Sequence, residues 1–373
     1  MSNLIGTQTI GLRMPIIKEG DNLENIIYSN LENLINNKDI VLHDNDVICI
    51  TESLVARSEG NYITVQDIAN DIEHKFGKNQ IISVVWPIYS RNRFSMILKG
   101  IARAAKEVRL LLNKGKDEVG NDIINKFTNI NIIDFYREII ESENCKSTIV
   151  NTSFIKDAFY TSGKNNIIIA TIHNCENLKN QLIDEIDRPL VKIYTLSEIC
   201  ANENSNTGYN EDWGLLGSNK ATEEKLKLFP KYDTCEKLCE SLKSKIYENF
   251  GVNVELMVYG DGCFKDPMCG IWEFADPTTT VYYTNGLIGT PNEVKMKYLI
   301  DSAKENNISN INEFVKKEIV HKDSDLKGNM KSQGTTPRRY VDLLASLADL
   351  TSGSGDKGTP VVLIQNYFKN YMQ

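Results

Sequence analysis

The sequence predicts an α/β fold, a mixed sheet flanked by helices in a two-domain chain, with a largely parallel sheet in the first two thirds and an α+β unit after it. Three observations predict this. Short β-branched runs recur along the chain, segments with a helical apolar period lie between them, and the alternation stops near residue 200. In order, strands are expected in DVICITESLVA (46–56), QIISVVWPI (80–88), VRLLL (108–112), STIVNTS (147–153), NIIIATIH (166–173) and VKIYTL (191–196). Helices are expected in RFSMILKGIARAAKEV (93–108) and CENLKNQLIDEI (175–186), where apolar residues return every three or four positions. A polar stretch, ANENSNTGYNEDWGLLGSNKAT (201–222), is too long and too rich in Asn and Gly for a simple connection, and reads as a functional loop.

Beyond it come a helix (CEKLCESLKSKIYENF, 235–250), a buried strand (VELMVYG, 254–260), the loop DGCFKDPMCG, helices in 291–306 and 311–321, a helix starting near Pro337, and the strand VVLIQ (361–365). The expected division is residues 1–200 and 201–373, with 75–200 open to being an insertion.

At 373 residues and 41% hydrophobic content the chain can bury a large core. A net charge of −8 excludes a general nucleic-acid role, for which a basic face would be needed. The N-terminal stretch has no signal-peptide pattern and no window is apolar enough to span a bilayer, so a cytoplasmic protein is expected. Eight cysteines without a CxxC pair argue for free thiols, with Cys235 and Cys239 as small apolar residues on one helix face.

Several stretches carry chemistry-bearing residues. Asp261 follows a strand between two glycines, where it would serve equally as a hard-metal ligand or as a turn cap. TESLVARSEGNY (51–62) places Glu52, Ser53, Arg57 and Glu59 in a turn and its continuation. The arginines and lysines of 86–106 read as a polar helix face ahead of an anion site. In TTPRRYVDLLASLADL (335–350), Thr335 or Thr336 would cap a helix with Pro337 in its first turn. Arg338 and Arg339 would then lie at the positive end of the dipole, a mismatch that a bound anion would relieve. TSGSGDKGTP (351–360) is either a slack linker or a loop whose backbone N–H groups, with Lys357, cradle a phosphate. It is not a Walker A loop, and no GxSxG elbow, HExxH or GxGxxG fingerprint is present.

Together these stretches resemble the coenzyme F-420:L-glutamate ligase family. GLRMPIIKEGDNLENII, DVICITESLVARSEG, NTGYNEDWGLLGSN, YGDGCFKDP and DLLASLADLTSGSGDKGTPVVLIQ recur in the family's order. The resemblance implies a γ-glutamyl ligase that uses GTP or ATP and a divalent metal, magnesium or manganese, to join L-glutamate to a small carboxylate acceptor, in a homodimer. It implies that Met14, Pro15, Ile16 and Ile17 line the nucleotide with Glu52, Ser53, Arg57 and Asn219 nearby. Ser352, Gly353, Ser354, Gly355, Asp356, Lys357, Gly358 and Thr359 would wrap the phosphates, Lys357 and Asp261 being catalytic. Metal would be held by Asp261, Asn210, Asp212 and Ser354; Asn210, Gly262 and Ser354 depart from the family's pattern and leave the metal count open. Residues 75–200 have little counterpart in shorter members, so the acceptor need not be F-420. A folate-like acceptor is one alternative, and a non-catalytic nucleotide-binding regulator is another.

Overall fold

The structure, a computed structural model, describes residues 5–89, 93–113, 115–118, 122–124, 129–155, 157, 166–171, 175–184, 192–201, 213–260, 263–265, 272–274, 280–326, 328–332, 339–352 and 356–370. Two five-stranded sheets dominate it. The first is built from both ends of the sequence: β1 (Gln8–Leu12), β2 (Val47–Thr51), β11 (Glu255–Tyr259), β14 (Thr280–Tyr283) and β15 (Val361–Gln365), in the order β1-β15-β2-β11-β14. β2 and β11 run parallel, and the other pairings are antiparallel. Both faces are covered, which is why these strands are apolar throughout rather than alternating. Ile48, Ile50, Leu256, Val258 and Leu363 meet helices α1 (Leu23–Asn36) and α7 (Tyr232–Phe250) on one face. Cys49, Met257, Val362 and Ile364 meet α10 (Tyr340–Thr351) on the other.

The second sheet is wholly parallel and comes from the middle of the chain: β4 (Gln80–Val85), β5 (Ala105–Leu112), β6 (Lys146–Asn151), β7 (Asn166–Ile169) and β8 (Lys192–Thr195), ordered β6-β5-β4-β7-β8. Val84, Val108, Leu110 and Ile168 pack beneath α3 (Val65–Phe76), α4 (Arg93–Ala104) and α5 (Ile132–Ser142). Val85, Leu111, Ile167 and Ile169 pack on the opposite face with Leu182 of α6 (Cys175–Asp184). A three-stranded sheet, β3 (Tyr62–Thr64), β10 (Lys225–Leu228) and β9 (Ser218–Thr222), adjoins α3 and α4. No helix among the described residues is long and apolar enough to cross a membrane.

The expected strands all form, but helix boundaries move: the helix expected from 235 starts at Tyr232 and the one expected from 291 starts at Met296. RFSMILKGIARAAKEV is helical only to Ala104, because Ala105–Val108 are taken into β5 and paired with β4. The last helix begins at Tyr340 rather than Pro337, and Arg339 holds the cap position without a side-chain cap bond. There, Tyr340 N–H donates to Gly289 O at 2.9 Å. Arg339 is bound bidentately by Asp342, Nε to Oδ2 at 3.0 Å and Nη2 to Oδ1 at 2.8 Å. The carboxylate one turn along thus supplies the anion that the dipole mismatch called for, and no bound anion is needed to explain Arg339. Thr335, Thr336, Pro337 and Arg338 lie outside the described residues.

Helices α3 and α4 cross where Gly100 lies against Ile68; a Cβ on Gly100 would stand 2.5 Å from Ile68 Cγ2 and 3.2 Å from Val65 O. Gly100→Ala is therefore expected to destabilise the fold by about 1–3 kcal/mol through overpacking. Urea unfolding at unchanged m-value measures this, and an unshifted midpoint would mean the helices separate freely.

Candidate functional site

The C-terminal ends of β1, β2 and β11 and the N-terminal ends of β14 and β15 share one edge of the mixed sheet, as the pairs Leu12↔Val361, Val361↔Ile50 and Tyr259↔Thr51 require. An open α/β sheet presents ligands at the carboxyl ends of its parallel strands. Four of the motifs singled out in the sequence converge here.

The Gly-rich stretch is fastened on both sides. Met14 N–H donates to Gly358 O at 3.0 Å, and Thr51 N–H donates to Pro360 O at 3.0 Å. Gly11 faces Thr359 so closely that a Cβ there would meet Thr359 Cβ at 3.0 Å. Gly358 has φ +65, a conformation glycine adopts without penalty. The end of the stretch, Gly358–Pro360, is thus fixed where it leads into an inner strand. Ser352 closes α10, its hydroxyl donating to Asp349 O at 3.2 Å. Asp356, Lys357 and Gly358 are exposed, while Thr359 is half-buried. Gly353, Ser354 and Gly355 lie outside the described residues.

From β1 the chain turns past this loop. Met14 is half-buried, Pro15 exposed and Ile16 83% exposed, so all three are available to a ligand at the edge. Ile17 is not: it is 3% exposed and packs in the core among Leu12 and Leu23. Asn30 Nδ2 fixes the turn by donating to Arg13 O at 2.6 Å.

β2 delivers Thr51 to the edge, and α2 (Glu52–Glu59) starts at once. Thr51 caps it, its hydroxyl oxygen accepting from Ser53 N–H at 3.2 Å. Glu52 is fully buried, and both carboxylate oxygens lie 2.6 Å from Nζ of Lys227, itself 6% exposed. Lys227 stands opposite Asn219 in the β10–β9 ladder. Cross-strand partners share a face, so Asn219, Lys227 and Glu52 form one polar line from the small sheet to the site edge. Arg57 is exposed in the last turn of α2, five residues and roughly 7–8 Å of helix rise from Glu52. Glu59, at the end of the helix, bonds the Thr234 side chain and the Lys231 backbone, capping α7 from outside. Its carboxyl is pushed above the usual range, chiefly by burial.

β11 ends at Tyr259, two residues before Asp261. Asp261, Gly262, Asn210 and Asp212 lie outside the described residues. Among the described residues no group of three or more His, Cys, Asp or Glu is placed to hold a metal ion. The expected donors are carboxylate, amide and hydroxyl oxygens, a set suited to a hard divalent cation such as magnesium or manganese. Burial pushes the thiols of Cys235 and Cys239 far up, which keeps them protonated and apolar in the core under α7.

The polar helix face read in residues 86–106 divides. Arg103 pairs with Glu143 at 2.8 Å and Glu224 at 3.0 Å, and Lys99 pairs with Glu224. Arg93 is buried and donates through Nη1 to Leu216 O at 3.3 Å. Lys227 was not singled out by sequence reasoning. The strand KLKL offers no signal that one of its lysines turns inward, since its partner is 175 positions away.

A family model described as F420-0:Gamma-glutamyl ligase matches residues 11–366. No curated protein matches. One solved structure that matches is eIF2B beta from Chaetomium thermophilum, at 9% identity and a TM-score of 0.20 over 38% of this chain and 36% of that one. A likeness so slight bears no weight.

Proposed function

Because the chain belongs to the F420-0:gamma-glutamyl ligase family, we propose that it joins the amine of L-glutamate to the carboxylate of a small acceptor resembling an F-420 precursor, with GTP or ATP as phosphoryl donor. The observation that carries the reading is the union of Met14 and Gly358 across the sheet edge, with Thr51 and Pro360 beside them. A carboxylate is a poor electrophile. An oxygen of the acceptor carboxylate attacks the γ-phosphorus, the bond to the nucleoside diphosphate breaks, and an acyl phosphate forms. The glutamate amine then attacks the acyl carbon, phosphate leaves, and the amine loses a proton to solvent or base. Positioning and charge neutralisation suffice for both steps, and no covalent protein nucleophile is called for.

In this reading Met14, Pro15 and Ile16 border the nucleotide, with Ser53 and Asn219 near it. The loop from Ser352 to Thr359 takes the phosphates, Lys357 adding a point charge. Asp261, with Asn210, Asp212 and Ser354, would hold a divalent cation, which supplies charge neutralisation on the phosphates. A cytoplasmic homodimer completes the reading.

The test uses the whole protein in thermal unfolding with GTP or ATP and magnesium or manganese, then in turnover with L-glutamate and candidate acceptors, scored by phosphate release. Stability should rise with one nucleotide, as expected for a ligand bound only by the folded state. Lys357→Ala should weaken that nucleotide on the order of tenfold, the loss of one charge-assisted contact. No shift with either nucleotide would reject the ligase reading. Nucleotide binding with no release for any acceptor would favour the non-catalytic regulator.

A further inference from the structure

In KLKL (225–228) the side chains alternate between the two faces of β10, and Leu226 and Leu228, both 0% exposed, join the core formed with α3 and α4. Lys227 points the other way, yet it too is buried. Its partners in register are Tyr62 of β3 and Asn219 of β9, so a single row of Tyr62, Lys227 and Asn219 crosses that face of the small sheet. Glu52, the first residue of α2, meets the middle of the row, with both carboxylate oxygens 2.6 Å from Lys227 Nζ.

Stability alone does not account for this arrangement. An apolar side chain of similar volume would fill the space without desolvating two charges, and buried ion pairs replaced in that way often leave a protein as stable or more so. What the pair adds is direction. Ammonium and carboxylate hold only where they meet, whereas burial of apolar surface is non-directional. Position 52 is one where direction matters, because the preceding residue, Thr51, donates its N–H to Pro360 O at 3.0 Å and so anchors the end of the Gly-rich stretch at the ligand edge.

The hairpin formed by β9 and β10 is fixed at three points. Its turn is held from the side of the parallel sheet, where Glu224 accepts from Arg103 Nη1 at 3.0 Å and Glu143 accepts from Arg103 Nε at 2.8 Å. The end of β10 is tied to the residue after α2 and its glycine cap, Leu228 N–H donating to Asn61 O at 2.9 Å and Asn61 Nδ2 donating to Phe229 O. Lys227 and Glu52 are the third point, and this one joins the row that contains half-buried Asn219 to the start of α2.

We propose that Lys227, held by Glu52, is a positioning residue for Asn219: the pair sets the hairpin against the start of α2 and thereby aims Asn219 at the nucleotide. The inference rests on the ligase reading, in which Asn219 lies near the nucleotide.

The test is calorimetric titration of the whole chain with GTP or ATP in the presence of magnesium, for the native protein, Asn219→Ala, Glu52→Gln/Lys227→Met and the variant carrying all three changes. Asn219→Ala and the pair variant should each weaken binding on the order of tenfold, the loss of one well-placed polar contact. The triple variant should bind no more weakly than Asn219→Ala, because a residue that acts through another has nothing left to position once the other is gone. A pair that only stabilises the fold would leave the affinity unchanged below the melting temperature, and a pair that acts independently would make the two losses multiply. Either result overturns the proposal, as does an unaltered affinity in Asn219→Ala, and all three leave the ligase reading standing. Should the pair variant not fold, Lys227→Arg replaces it with the same expectation, since it keeps the charge but imposes a larger, planar head on the buried contact. Binding of neither nucleotide by the native protein would reject the ligase reading and the proposal with it.

Discussion

Lys227→Met is expected to destabilise the protein by about 3–5 kcal/mol, because it leaves the carboxylate of Glu52 buried without its ammonium. Glu52 is 0% exposed and Lys227 6%, so water cannot replace the missing partner without local opening. The pair as a whole contributes far less than its loss costs, since desolvating two charges offsets most of their attraction. Hence Glu52→Gln/Lys227→Met should recover much of the stability. Urea unfolding of the three variants measures this. A single variant as stable as the native protein would show that the pair is hydrated in solution. Glu52 begins α2 beside the loop at Gly358, so the double variant, folded but lacking the pair, also tests whether the polar line from Asn219 affects nucleotide affinity.

Asp261→Asn is expected to lower turnover by about a hundredfold or more, the scale seen when one electrostatic contact to a transition state is removed. The fold should persist, because Asn matches Asp in size and shape at a position that the sequence flanks with two glycines. Turnover at saturating magnesium and a melting curve check the two halves. Undiminished turnover would remove Asp261 from the proposed metal site, and a lower melting temperature would make it a structural cap instead.

What the sequence disclosed is what depends on neighbours along the chain. The β-branched runs located the five strands of the parallel sheet and β2, β11 and β15 of the mixed sheet, since strands buried on both faces advertise themselves by continuous apolarity, whereas the mixed sheet's outer strands β1 and β14 were not read. The stretch TSGSGDKGTP was ambiguous in composition. The backbone bonds that fix its end at Gly358 and Pro360 come from Met14 and Thr51, each more than 300 residues away. RFSMILKGIARAAKEV reads as one helix because Ala, Lys and Glu favour helices, yet pairing with β4 outweighs that preference from Ala105 on. Arg339 looked like an anion ligand because its counter-ion, Asp342, sits three residues on, and no rule of spacing says which acid an arginine will choose. Glu52 and Lys227 meet only through the fold.

One feature of the mixed sheet bears on the order of events during synthesis. β15 lies between β1 and β2, although nearly the whole chain separates it from them. On the ribosome, the parallel sheet has all five strands once residue 195 has emerged, whereas the mixed sheet lacks an inner strand until residue 365 follows. Until then β1 and β2 each expose an unpaired edge, a template for another nascent chain. The last strand to be made both seals that edge and carries the loop at Gly358 into place, so the proposed nucleotide site cannot assemble before the sheet is closed.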